Sequence, residues 1–312
     1  MSSDVNRIEV VELGQAEKRS RRIAIGTFDG VHLGHRAVIE GCSTVLTFEP
    51  HPLEVLNPTA APKLLMPFEV KRDVLEGIGV EELVVIPFDR EFTRLTAEEF
   101  IEDILIERLG AEAVSVGENF RFGTRASGTP EMLASHPGFE TRVVPLVEVG
   151  GEAVSSTRIR ALVAAGAMEE ARACLGVPFM VQGEVVKGDQ RGRELGYPTA
   201  NIVPDDRLVT PGHGVYAAFA DGHPAAVSVG VRPTFDTGRG VLIETYLIDR
   251  NDDLYGRQLR VAFVERLRGE RRFEDADALI AQMAEDVEDA GRVCATFHRP
   301  GGSEEGSDST TG

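Results

Sequence analysis

Residues 23–35 read IAIGTFDGVHLGH, and this stretch decides the fold of the first half of the chain. Ile23, Ala24 and Ile25 form a short apolar run suited to a strand buried on both faces. Gly26 then opens a turn without side-chain bulk, where backbone can approach a ligand closely. A helix starting near Val31 directs its first N–H groups toward that turn, which suits a polyphosphate. His32 and His35, three apart, share one helical face. Neither GxxxxGK[ST] nor GxGxxG is present in the turn, so the two commonest phosphate loops do not account for it. Zinc is disfavoured because no cysteine or third histidine follows at ligand spacing. Isolated core histidines would leave the flanking glycines unexplained.

Outward from this turn, to about residue 175, strand-like runs at 44–48, 83–87, 113–116 and 141–144 alternate with helical patterns at 67–77 and 96–109. TAEEF at the start of the latter resembles a capping box. This β-then-α order predicts a parallel, doubly wound sheet whose ligands lie at the carboxyl ends of its strands. After Gly176 the texture changes to Val-, Tyr- and Thr-rich runs broken by Gly, Pro and Asp. VQGEVVKGD, GVYAAFADGHPAAVSVG, VLIETYLIDR and LRVAFVERL read as antiparallel strands of a small barrel, with DGH and RND as turns. A helix over about 273–295 closes that domain, with Leu279, Ile280, Met283 and Val287 on one face. The terminal PGGSEEGSDSTTG is polar and Gly/Ser-rich, and is expected to be disordered.

Composition bounds the function. The chain has 312 residues, enough for two cores, and its 42% hydrophobic content without Trp is that of an ordinary soluble protein. No apolar run reaches membrane-spanning length and MSSDVNRIEV lacks the features of a signal peptide, so the expected compartment is the cytoplasm. Cys42, Cys174 and Cys294 are widely spaced without CxxC, which argues against a disulfide framework or structural zinc. A net charge of −18 opposes nucleic acid and also opposes an anionic nucleotide. Local cations must therefore recruit any nucleotide, and a divalent cation arriving with it is expected. No obligate protein partner is evident.

Several further segments carry chemistry. VSSTRIR (154–160) puts two hydroxyls and two guanidiniums near a helix start, where Ser156, Thr157 and Arg160 are candidate phosphate ligands. By itself SST before a helix is more often an ordinary N-cap. TFEPHP (47–52) and GENFRFG (117–123) follow strands at the ligand end of the sheet. They make Phe48, Pro50, His51, Phe120 and Phe122 candidates for an aromatic ligand, with Asn119 as its hydrogen-bond partner, although alternate Phe residues also suit a buried strand end. In the second domain GEVVKGDQRGRELGYPTAN (183–201) offers Gly183, Gly188, Gly192 and Gly196 for wrapping a nucleotide and Lys187, Arg191 and Arg193 for its charge. Pro198 fixes the chain so that Thr199 and Asn201 present hard oxygen donors suited to magnesium bound with ATP. Glu244 is an acid in an otherwise apolar strand, either simply exposed or facing a cleft as a proton acceptor.

The turn resembles the HxGH signature of the nucleotidyltransferase superfamily in its GxFDGVHxGH form, and VSSTRIR resembles the SSTxxR motif found downstream of it. Taken in order, GTFDGVHLGH, TFEPHP, GENFRFG, VSSTRIR, GDQRGRELGYPTAN, GVYA, RPTF, IETYLID and LYG resemble the prokaryotic bifunctional riboflavin kinase/FAD synthetase family over about residues 21–296. The resemblance implies an α/β nucleotidyltransferase domain, Rossmann-like, at 1–178 and an all-β riboflavin kinase barrel with a C-terminal helix at 179–296, followed by the tail at 297–312. It implies that riboflavin is phosphorylated by ATP to FMN, and that FMN is adenylylated by ATP to FAD and pyrophosphate. Gly26, Phe28, His32, His35, Asn119, Ser156, Thr157 and Arg160 then fall on ATP-binding positions of the adenylyltransferase, with His32, His35 and Arg160 also catalytic. Gly183, Gly188, Arg193, Gly196, Thr199 and Asn201 fall on those of the kinase, with magnesium at Thr199 and Asn201 and Glu244 as general base. Only RAVIEGCS separates His35 from the next strand, whereas this family usually has a longer helix there. The short segment raises one alternative, a kinase with weak or lost adenylyl transfer.

Overall fold

The structure, a computed structural model, describes residues 7–187, 196–231, 240–250 and 252–297. Two compact units make up the described chain. The first holds the residues up to Ala161 together with Cys174–Gly176 and Asp206–Val209, and the second holds the remainder.

In the first unit, β1 (Glu9–Glu12), β2 (Arg21–Ile25), β3 (Thr44–Glu49), β4 (Glu82–Pro87), β5 (Ala111–Gly117) and β6 (Glu140–Val144) form one parallel sheet in the order β1-β4-β3-β2-β5-β6. Each inner strand buries both faces. Ile23, Ile25, Leu46, Val84, Val114 and Val116 enter one core cluster, while Ala24, Val45 and Leu83 enter another. That two-sided burial explains the unbroken apolar runs. The chain moves outward from β2 to β3 and β4, then returns to place β5 on the other side of β2. The strand order therefore reverses between β2 and β5, and a crevice opens beyond their carboxyl ends.

The helices follow their local signals. Thr96 and Glu99 form the expected capping box at the start of α4 (Ala97–Glu99), which continues as a π-helical segment over Phe100–Arg108. α3 (Phe68–Gly77) lies where the pattern predicts it. The segment after His35 is helical too: α1 (Leu33–Ile39) returns the chain to β3, parallel to β2. The whole connection from Gly26 to Ser43 serves as the crossover, not only its last part, so the βαβ unit closes normally. α1 is short but firmly tied. Arg142 Nη2 on β6 donates to the carbonyls of Ala37, Val38 and Glu40 at 2.8, 3.1 and 2.6 Å, and Ser115 Oγ on β5 donates to that of Val38 at 2.7 Å. A cation there also complements the carboxyl end of the helix.

At the opposite, amino end of the sheet, Arg21 holds Glu82 through Nε at 2.7 Å and Nη2 at 2.8 Å, and the Thr44 hydroxyl adds a third bond at 2.9 Å. Both charged side chains are buried. Burial alone would raise the Glu82 pKa, but the bonds from Arg21 and Thr44 and the nearby guanidiniums outweigh it and hold the carboxyl below its usual range. Glu82→Leu leaves Arg21 buried without its counter-ion, so it is expected to lower stability by about 3–5 kcal/mol. Chemical unfolding followed by circular dichroism checks this, and an unmoved midpoint would contradict it.

The second unit contains a closed barrel of antiparallel neighbours in the order β10-β13-β12-β11-β14-β9. Its strands are β9 (Phe179–Val186), β10 (Ala200–Ile202), β11 (Gly214–Ala220), β12 (His223–Val231), β13 (Val241–Leu247) and β14 (Gln258–Arg268). Asp221 and Gly222 make the β11–β12 turn with φ of 44° and 85°, the left-handed pair such a two-residue hairpin needs. α8 (Ala276–Thr296) is pinned to the barrel by Asp286, which receives Arg268 Nε at 2.8 Å and Nη2 at 2.7 Å. Residues 298–312, including nearly all of the tail expected to be disordered, lie outside the described residues, as do Gly188, Arg191, Gly192, Arg193 and RPTF.

Candidate active site

A cavity of about 670 Å³ lies at the β2/β5 switch point. Gly26, Phe28, His32 and His35 line it from the first turn. Asn119, Phe120 and Phe122 line it after β5, Phe48 at the end of β3, and Ser156 and Thr157 at the start of α6 (Ser156–Ala165). Residues scattered from the second strand to the sixth helix thus face one space.

The histidine turn owes its shape to close packing. His32 is the N-cap of α1, and its Nδ1 accepts the His35 backbone N–H at 3.2 Å. A Cβ on Gly34 would lie 3.2 Å from His32 Cε1, so glycine between the histidines lets the first ring fold over the helix start. The two imidazoles stack with centroids 3.5 Å apart and planes 16° apart. Burial pushes His32 down to about 4, with a smaller contribution from Arg160, and pushes His35 well below its ordinary value, helped by His32 and Lys71. Both rings are therefore neutral at pH 7. With Nδ1 of His32 accepting a hydrogen bond, its proton resides on Nε2, making that atom a donor. His35 Nδ1 is buried without a partner among the described residues, a polar atom that a ligand would satisfy.

These depressed values carry a stability consequence. Between pH 6.5 and 4 the unfolded chain protonates His32 while the folded chain does not, so stability is full above about 6.5 and is lost as pH falls toward 4. From pH 7.5 to 5, His32 alone is expected to remove about 2 kcal/mol. Denaturant midpoints at the two pH values measure this, and equal midpoints would contradict it.

Arg160 is placed differently from a phosphate ligand on the cavity wall. Its Nη2 meets Asp29 Oδ2 at 2.6 Å and its Nε donates to the Lys63 carbonyl at 2.6 Å. Asp29 Oδ1 in turn accepts the Leu65 N–H at 2.8 Å, and Ser156 Oγ donates to the Asp29 carbonyl at 2.8 Å. Arg160 thus braces the turn against α6, and it is not among the cavity-lining residues. His51 and Pro50 do not line the cavity either. His51 instead caps α2 (Pro52–Leu56), its Nδ1 accepting the Leu53 N–H at 3.2 Å. Arg158 is turned to the hairpin of β7 (Glu148–Val149) and β8 (Glu152–Ala153), donating to the carbonyls of Val149 and Glu152 at 3.0 and 2.9 Å.

Other residues of the cavity carry no signal in sequence spacing. Phe88 and Phe92 join Phe48, Phe100, Phe120 and Phe122 in a chain of ring contacts, with centroids 5.2 to 6.4 Å apart. The cavity is thus lined by aromatic rings as well as by histidines and hydroxyls, with Phe28 meeting His35 edge-on at 5.4 Å. Arg121 and Arg125 are exposed cations on its wall.

In the second unit a cavity of about 260 Å³ is lined by Thr199, Asn201, Arg250, Asp253, Leu254 and Tyr255 among others. Asn201 Oδ1 is buried without a partner among the described residues, while its Nδ2 donates to the Thr199 carbonyl at 3.4 Å. An unpartnered hard oxygen beside a hydroxyl residue fits a divalent cation. Glu244 is exposed on β13 and stands opposite Asn201 in the β10–β13 register, so the two share one face of the sheet. Gly183 and Gly196 do not line this cavity. At Gly183 a Cβ would come within 2.4 Å of Ile202 Cγ2, so packing against β10 already requires glycine there.

The comparisons with known proteins agree with this division. Residues 14–158 match the family described as FAD synthetase, and residues 175–294 match the family described as riboflavin kinase. The bifunctional riboflavin kinase/FMN adenylyltransferase of Escherichia coli (strain K12) is 38% identical over 292 residues, covering 88% of this chain and 93% of that one. The enzyme of the same description from Bacillus subtilis (strain 168) is 34% identical, covering 91% and 95%. A crystal structure described as a macrolide-efflux protein from Streptococcus pneumoniae superposes with a TM-score of 0.83 at 31% identity, covering 93% of this chain and all of that one. No helix among the described residues is long and apolar enough to cross a membrane. Fold and sites together define a nucleotidyltransferase-type α/β unit and a flavokinase-type barrel carried on one chain. The chain belongs to the bifunctional riboflavin kinase/FMN adenylyltransferase family.

Proposed function

We propose that the barrel transfers the γ-phosphoryl group of ATP to the 5′-hydroxyl of riboflavin, giving FMN, and that the cavity at the β2/β5 switch point joins FMN to ATP, giving FAD and pyrophosphate. The observation that carries the second reaction is the cavity itself, lined by both aromatic rings and the histidine turn. In this reading the FMN phosphate oxygen attacks the α-phosphorus of ATP, the bond to the bridging oxygen breaks, and pyrophosphate leaves. No covalent enzyme intermediate is needed. His32 Nε2–H and His35 donate to the triphosphate as charge builds on the leaving group. Ser156, Thr157 and Asn119 position ATP, and Arg160 acts by holding the turn through Asp29. Phe48, Phe120 and Phe122, with Phe88 and Phe92, stack or enclose the flavin ring.

In the barrel, Thr199 and Asn201 hold the divalent cation that accompanies ATP, proposed to be magnesium, which neutralises phosphate charge there. Glu244 takes the proton from the attacking hydroxyl. Gly188 and Arg193, outside the described residues, and Gly183 and Gly196 are proposed to close around the nucleotide. The domain limits are proposed at residues 178 and 296, and the compartment as the cytoplasm. A kinase-only reading is not favoured, because both families match and α1 closes its crossover.

The test is product analysis with riboflavin and with FMN in separate reactions containing ATP and magnesium. FMN followed by FAD is expected from the first and FAD from the second. Failure to form FAD from FMN would overturn the adenylylation reading, and failure to form FMN from riboflavin the kinase reading.

A further inference from the structure

Lys71, on α3, is a buried ammonium group that none of the roles above uses. Its Nζ donates to the Thr27 carbonyl at 3.2 Å and lies 4.0 Å from Glu49 Oε2. The same carbonyl accepts from Thr47 Oγ1, also at 3.2 Å. Two further carbonyls of the turn are held by side chains: that of Asp29 by Ser156 Oγ at 2.8 Å and that of Val31 by Arg36 Nε at 3.1 Å. The carbonyls of Thr27, Asp29 and Val31 are therefore held by side chains, and that of Phe28 by the Val31 N–H at 3.2 Å. In a planar trans peptide, C=O and N–H point in opposite directions. Fixing the Thr27 carbonyl against Lys71 consequently turns the Phe28 N–H away from it, and that N–H has no backbone acceptor among the described residues. That N–H, on a residue that lines the cavity, is free to meet an anion there, whereas the Val31 N–H donates to the Phe28 carbonyl at 3.2 Å. Phe28 and Val31 accept left-handed φ values of 49° and 41°, a backbone that only firm external contacts hold in such residues.

The charges nearby give this lysine its importance. Both histidines are neutral at pH 7, and Arg160 is paired with Asp29 at 2.6 Å. Lys71 is then the buried cation directly behind the turn, with the half-exposed Glu49 carboxylate as a loose counter-ion. Burial lowers the Lys71 pKa while Glu49 and Asp29 raise it, and burial raises that of Glu49.

We propose that Lys71 is a positioning residue for the adenylylation reaction: through the Thr27 carbonyl it orients the Phe28 amide toward the phosphates, and its charge, set against Glu49, tunes affinity for the triphosphate of ATP. This rests on the adenylyltransferase reading of the cavity. The test is steady-state FAD formation from FMN and ATP by the full chain, with wild-type turnover as the check on that reading. Lys71→Met keeps the aliphatic stem and is expected to raise KM for ATP about thirtyfold with kcat within about threefold, the loss of one charge-assisted hydrogen bond. Lys71→Arg is expected to recover most of it. Glu49→Gln removes the opposing charge and is expected to shift the other way, lowering KM for ATP about threefold. FMN formation from riboflavin is expected to be unchanged in all three. Loss confined to kcat in Lys71→Met, or a raised or unchanged KM in Glu49→Gln, would overturn the proposal. If Lys71→Met does not fold, Glu49→Gln alone decides. A wild-type protein that makes no FAD would overturn the underlying reading instead.

Discussion

His32→Ala is expected to lower FAD formation from FMN and ATP by about 10²- to 10³-fold, the cost of losing one preorganised donor at a developing charge, while FMN formation from riboflavin stays within about twofold. The donor of His32 is fixed by Nδ1. That atom accepts the His35 backbone N–H, which places the proton of the neutral ring on Nε2. A neutral donor held by the helix start needs no reorganisation as pyrophosphate departs. Alanine also removes an N-cap, worth about 1 kcal/mol, so stability and chemistry must be separated. His32→Asn does this. Asparagine caps helices well, yet its amide is too short to reproduce Nε2–H at the same position. It is expected to restore the unfolding midpoint while leaving FAD formation low. Recovery of activity in His32→Asn would mean that His32 serves only to start the helix.

The second large effect lies in the barrel. Glu244→Gln is expected to reduce FMN formation by about 10²- to 10⁴-fold, the usual contribution of a positioned general base, and to leave FAD formation from supplied FMN unaltered. Its support is the register: Glu244 and Asn201 are cross-strand partners on one face, and Asn201, whose buried Oδ1 has no partner among the described residues, lines the small cavity. Glutamine keeps the size of the side chain and cannot take the proton. Rapid-quench measurement of FMN checks the chemical step, and a variant whose FMN formation matches wild type would remove Glu244 from that role. Coupled loss of both activities in either His32→Ala or Glu244→Gln would contradict two independent sites.

Much of this architecture is legible in local pattern. Strands buried on both faces leave unbroken apolar runs, so β2 through β5 could be located from residue order alone, whereas β6, an edge strand with three of its five residues exposed, is legible only as the next run in the series. β1 could not, because Val10 is exposed and the strand places little apolar surface in the core. The capping box of α4 is visible for a similar reason: its partners, Thr96 and Glu99, lie within one turn. The segment after His35 is short when measured alone. Its adequacy depends on the turn preceding it and on Arg142, whose partners on α1 lie 102 to 105 residues away.

The sequence by itself determined the two chemistries and the strand–turn–helix that serves one of them, because glycines, histidines and hydroxyls act there through contacts spanning a few residues. Only the tertiary structure decided how the charges around the turn are paired. Arg160, read as a phosphate ligand, is paired with Asp29 at a separation of 131 residues, while Lys71, which no motif marks, reaches Thr27 across 44. Pairings of that kind arise from the order in which strands join the sheet, and local spacing does not encode that order. The same holds for Phe88 and Phe92, which become part of an aromatic wall only when β3, β4 and β5 bring their carboxyl ends together.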